Sequence, residues 1–75
     1  MPHVIVKLWP GKSEKQKQEM TDKIVDAVTS SLGYGDESVS VALEEVPAGD
    51  WKADVYEPDI QNTSGKLYKK PGYSM

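Results

Sequence analysis

The chain contains no cysteine, no phenylalanine and no arginine, and only one histidine. Without cysteine there is no disulfide framework and no thiolate metal site. A metal site built on the lone His3 would need carboxylates that form no recognisable ligand motif, so none is expected. The lack of arginine removes the planar two-pronged donor that grips carboxylates and phosphates, because all nine cations are lysines. Apolar runs are short, as in Val4-Ile5-Val6, and a membrane span needs about 20 residues. The N-terminus has neither the charged nor the apolar region of a signal peptide, so a cytoplasmic location is expected.

The formal charge is -3 and the pI about 5.0. No basic stripe interrupts this balance, which argues against a nucleic-acid partner. Lys12, Lys15, Lys17 and Lys23 alternate with Glu14, Glu19, Asp22 and Asp26, as on a solvated helix face, and Lys69-Lys70 is too short for a polybasic patch. Gly33 and Gly35 follow a helical pattern instead of opening one, so they make no phosphate loop. One histidine beside the N-terminus supports no Ser-His-Asp set. Glu44 and Glu45 are adjacent in a strand pattern and point to opposite faces.

Residues 3–9 are β-branched and aromatic, and they predict a strand. Val4, Val6 and Leu8 face one way, while Ile5, Lys7 and Trp9 face the other. Pro10-Gly11 marks a turn. Ser13 with Gln16 has the spacing of a capping box, and Met20, Ile24, Ala27, Val28 and Leu32 recur at helical intervals. These signals predict a helix over 14–32, stopped by Gly33. After a loop at 34–37, Ser38 to Glu44 alternates and predicts a second strand, with Val39, Val41 and Leu43 on one face. Strand, helix and strand form a βαβ unit, whose right-handed crossover makes the strands parallel.

The fold class is therefore α/β: a single domain over 1–75, with a core at about 2–46 and an extension at 47–75. In the extension, Asp50 is expected to cap a helical turn over 51–57 that ends at Pro58. Residues 61–65 read as loop, Leu67-Tyr68 as a short pairing or packing element, and 69–75 as a tail. A chain of 75 residues buries only roughly 60% of its unfolded surface. Parallel sheets are covered on both faces, and this chain offers one long helix. A second subunit is the expected cover, so the fold is completed by oligomerisation.

Met1-Pro2 is the remaining chemical feature. Proline is tolerated at the start of a strand for structural reasons alone. Initiator methionine is usually removed before a small residue, and this would leave Pro2 as a rigid secondary amine. The ordinary α-amino pKa is about 8, and desolvation or a nearby cation lowers it toward the range of a general base.

The Pro-led strand, Lys12, the helix start Ser13-Glu14-Lys15-Gln16-Lys17, the segment Ser38-Val39-Ser40-Val41 and the aromatic Trp51 together resemble the 4-oxalocrotonate tautomerase family. The tail Lys69-Lys70-Pro71-Gly72-Tyr73-Ser74-Met75 is similar to that of the PptA-type subgroup, while the polar stretch 61–65 departs from it. The resemblance implies a tautomerase/MIF-like fold and an enol–keto tautomerase that uses no cofactor and no metal. In that scheme Pro2 is general base and acid, Lys12 binds the substrate's carboxylate or carbonyl, and Trp51 and Ser40 line the pocket. It also implies a homo-oligomer, with the subgroup's dimer favoured over a hexamer. Lys12 and Ser40 stand where the best-known members carry arginines. The loss of one charge favours a 2-hydroxy-dienoate or arylpyruvate-like monoacid over a diacid. Dehalogenation or decarboxylation of three-carbon acids usually needs two arginines and ranks last. The alternative of another class is a non-catalytic oligomeric binding module, for which Met1 retained in the cell would be the mark.

Overall fold

A computed structural model describes residues 1–75. The chain divides into two compact units, Met1–Glu45 and Val46–Met75. The first is a βαβ unit: strand β1 (His3–Leu8), helix α1 (Glu14–Leu32) and strand β2 (Ser40–Glu45). The strands are parallel and pair in one register from His3 opposite Ser40 to Leu8 opposite Glu45. Strict alternation then sorts the side chains. Val4, Val6, Leu8, Val41 and Leu43 share the face that α1 covers, where Leu8 and Met20 line one depression and Thr21 and Leu43 another. Ile5, Lys7, Trp9, Ala42 and Glu44 occupy the other face. There Ile5 is 52% and Trp9 57% exposed.

The helix begins and ends where local chemistry dictates. Gln16 N–H donates to Ser13 Oγ at 3.1 Å, and Ser13 N–H donates to Gln16 Oε1 at 3.0 Å, closing the capping box. Gly33 takes a left-handed φ of 75°, and its N–H donates to Thr29 O. The inward stripe differs from the expected one. Lys17, Met20, Thr21, Ile24, Val25, Val28 and Thr29 are half-buried, whereas Ala27 is exposed and Leu32 is 63% exposed. Two strands are too narrow to cover every apolar position of a 19-residue helix. The second strand also starts later than expected. Asp36–Ser38 forms a 3-10 turn, held by Ser38 N–H and Ser38 Oγ on Gly35 O, so Ser38 and Val39 precede the ladder.

Lys17 ties the helix to β2. Its Nζ lies 2.7 Å from Glu14 Oε1 and 3.1 Å from Glu45 Oε1. The hydrogen bonds to Glu14 first, and then to Glu45, raise its pKa above the ordinary 10.5. Outside this clip the unit is thinly packed: no side chain of residues 1–45 is fully buried.

The second unit departs from expectation at Asp50 and at Pro58. Asp50 is not a cap; it lies inside a 3-10 turn, Ala48–Asp50. The coil does not end at Pro58; it runs on as a π-helix over Lys52–Gln61 with Pro58 inside it. Proline removes one donor, but Val55 (4% exposed) and Tyr56 (9%) lie on this coil, and their burial overrides local propensity. Asn62 closes it, with N–H and Nδ2 both donating to Glu57 O at 3.0 and 2.8 Å. Residues 62–75 contain no strand, and Tyr68 is exposed, with Lys66 Nζ 5.0 Å from its ring centroid. The tail is held in place: Trp51 Nε1–H donates to Tyr73 Oη at 3.0 Å, and the Tyr73 ring lies 5.8 Å from that of Tyr56.

Three outcomes follow from these contacts. Ser13→Ala and Gly33→Ala each lower stability by about 1 kcal/mol, read from urea midpoints, the first through the lost cap and the second through φ alone. The stabilisation from Lys17 is present below pH 10.5 and is lost as pH rises through its raised folded value. As pH rises above about 10, stability therefore falls more steeply in the wild type than in Lys17→Met. In a Trp9→Phe background, Tyr73→Phe shifts Trp51 emission to longer wavelength as water replaces the phenol, at a stability cost of about 1 kcal/mol.

Candidate active site

A parallel pair places the N-terminal ends of both strands together. Pro2 enters β1 as a half-buried residue, where proline removes no ladder donor. Its carbonyl accepts the backbone N–H of Ser40 at 3.2 Å, which fixes the entry of β1 against the entry of β2. Met1 is exposed beyond it. While Met1 is attached, the Pro2 nitrogen is a tertiary amide without basicity. Its removal leaves a secondary amine at the edge of the sheet.

Ser40 stands directly opposite His3 in the register, and 2.7 Å separates Ser40 Oγ from His3 Nδ1. The resemblance read in the sequence points to Ser40, and the sequence gives His3 neither a metal nor a triad role. Register is the missing signal: only once β2 is known to start at Ser40 do the two side chains fall on one face at one level. Further along that face Lys7 Nζ lies 4.0 Å from Glu44 Oε2, so the charges there are opposed in pairs.

Lys12 lies at the other end of the unit. It follows β1, is exposed, and lines a depression of about 240 Å³ with Leu8, Gln16, Lys17 and Met20. Six strand residues at about 3.3 Å each separate the two ends by roughly 20 Å. One chain thus brings Pro2 and Ser40 together and keeps its own Lys12 away from them. Trp51 belongs to the second unit, half-buried, with its indole held by Tyr73. Tyr73 carries no local signal of this role, because the bond spans 22 residues of sequence. No three His, Asp or Glu side chains converge in a way that could hold a metal ion, and no helix is long and apolar enough to cross a membrane.

Comparisons with known proteins bear on the family and the fold. The family model described as "Tautomerase enzyme" matches residues 2–56, from Pro2 through Trp51 to Tyr56. A probable tautomerase of Xylella fastidiosa is 45% identical over 73 residues, covering 97% of this chain and 89% of that one. Tautomerase PptA of an Enterobacter species is 41% identical over the full length of both chains. Among solved structures, YwhB, a homologue of 4-oxalocrotonate tautomerase, superposes with a TM-score of 0.61 at 30% identity, over 72% of this chain and 98% of that one. DmpI of Helicobacter pylori gives a TM-score of 0.59 at 28% identity, over 63% of this chain and 79% of that one. With a family match over most of its length, full-length relatives and a shared βαβ unit, the chain belongs to the tautomerase family.

Proposed function

We propose that the chain is an enol–keto tautomerase in which the Pro2 amine, freed by loss of Met1, is both general base and general acid. The observation that carries this reading is the placement of Pro2. It sits half-buried at the mouth of the parallel pair, with its backbone held by Ser40 N–H at 3.2 Å. A base held by its own ring and by a ladder bond loses little freedom on reaching for a proton. The family match beginning at Pro2 supports the same choice.

The reaction is a proton transfer with no net change in composition. The neutral amine takes the proton of the enol hydroxyl, and the O–H pair becomes the carbonyl π bond. The C=C pair moves to carbon, and the protonated ring nitrogen returns its proton there. The amine is regenerated and needs no cofactor. Positioned proton transfer of this kind is worth about 10²–10⁴-fold in rate. The substrate class that fits is a small monoacid, a 2-hydroxy-dienoate or an arylpyruvate. Lys12 meets its carboxylate or carbonyl oxygen, its apolar body packs on Trp51, and Ser40 supplies a hydroxyl.

Lys12 reaches Pro2 only from a second copy of the chain, because its own lies roughly 20 Å away along β1. The open sheet face, with Ile5 and Trp9 half exposed, and the absence of any fully buried side chain in residues 1–45 support the same inference. The assembly is a homo-oligomer, with a dimer favoured over a hexamer, and it works in the cytoplasm.

Pro2→Ala, freed of Met1, ketonises phenylenolpyruvate at least about 10²-fold more slowly than the wild type, as does any fraction that mass spectrometry finds with Met1 retained. Lys12→Ala raises KM more than it lowers kcat. Wild-type rates in the Met1-free Pro2→Ala protein would sink the proposal.

A further inference from the structure

We propose that His3 and Ser40 form the carboxylate-binding fork of the Pro2 site, and that a proton on His3 switches the fork on. The inference deepens the tautomerase reading and rests on it for the position of the substrate. Three observations place the pair. His3 and Ser40 are directly opposed in the register, their side-chain atoms Nδ1 and Oγ are 2.7 Å apart, and Ser40 N–H binds Pro2 O. The fork and the reacting nitrogen therefore share one anchor.

A donor count gives the pair its function. A hydroxyl has one proton, a neutral imidazole has one N–H, and an imidazolium has two. With His3 neutral, either Ser40 donates to Nδ1 or Nδ1–H donates to Oγ. Each arrangement consumes one proton in the shared bond and leaves one donor facing outward. With His3 protonated, Nδ1–H must donate to Oγ. The Ser40 proton is then turned outward, and Nε2–H points outward as well. Protonation thus converts one outward donor into two, and adds a positive charge. Two donors and a charge at one spot are what a carboxylate needs. The chain has no arginine to supply them.

The surrounding charges leave this role to His3. On the same sheet face Lys7 and Glu44 face each other at 4.0 Å. Asp36 and Glu37 lie in the turn that leads into β2, and α1 packs on the opposite face. The Pro2 nitrogen, once freed, is a further titratable group at this end of the sheet. Lys12, a point charge without a fork, is then available for the carbonyl oxygen, and the carboxylate is oriented by His3 and Ser40. The substrate anion binds the protonated form of His3, so affinity rises as pH falls.

The test is the binding of benzoate, which cannot tautomerise, measured by calorimetry on the Met1-free protein at about pH 5.5 and about pH 8. Wild-type affinity at the lower pH is roughly tenfold higher, the size expected for a charge-assisted hydrogen bond. His3→Gln keeps the polarity without the proton uptake, and at the lower pH it binds roughly tenfold more weakly than the wild type at the same pH, the Pro2 amine being common to both. Ser40→Ala loses several-fold at the lower pH, and the double variant is no weaker than His3→Gln alone. Benzyl alcohol, the uncharged control, binds equally at both pH values. Should His3→Gln fail to fold by circular dichroism, His3→Asn takes its place. Parallel pH dependence in the wild type and the His3 variant overturns the inference, as does additive loss in the double variant or no binding of benzoate at all. Because benzoate does not turn over, none of these outcomes depends on Pro2 acting as the base, which Pro2→Ala kinetics test separately.

Discussion

Parallel pairing of two six-residue strands decides which residues of this protein can meet. In an antiparallel hairpin the start of one strand lies beside the end of the other. Here a 19-residue helix carries the chain back, so both strands start at the same edge. Pro2, His3 and Ser40 gather at that edge. Leu8, Lys12, Lys17 and Glu45 gather at the far one. The bond from Ser40 N–H to Pro2 O closes the ladder at the N-terminal edge, where the proposed site lies. A register slip of one residue would turn Ser40 to the helix side and break its contact with His3.

The same pairing leaves the protein incomplete. A two-stranded parallel sheet has two faces, and one helix covers one of them. Half-buried side chains throughout residues 1–45 are the consequence. Membership of the tautomerase family brings a small-molecule substrate with it, and a single chain does not assemble all the groups named for such a substrate. Thin packing and the separation of Lys12 from Pro2 thus have one cause, and in the proposed assembly a neighbouring copy of the chain answers both.

The C-terminal unit follows a different logic. It contains no strand, and aromatic side chains tie its tail to its helical coil. Val55 and Tyr56 are the two buried apolar residues of the chain, and they lie in a coil that contains a proline. Tyr73, near the end of the sequence, reaches Trp51 with its hydroxyl and Tyr56 with its ring. The tail that resembles the PptA-type subgroup is therefore also the segment that holds Trp51 in place.

Ser13, Gln16 and Gly33 were legible because a capping box and a left-handed stop involve neighbours a few residues apart. The βαβ order was legible because hydrophobic period changes from two to between three and four and back again. The resemblance carried by Pro2, Lys12 and Trp51 was legible because it depends on spacing alone. Other features were set by contacts that no local pattern encodes. The 3-10 turn at Asp36–Ser38 delayed β2, sheet width left Ala27 and Leu32 outside, and burial of Tyr56 carried a helix past Pro58. His3 against Ser40 spans 37 residues and Trp51 against Tyr73 spans 22. Period and capping are properties of a segment, so the sequence by itself determined the elements. Register and packing are properties of pairs of distant segments, so only the tertiary structure decided which side chains stand together.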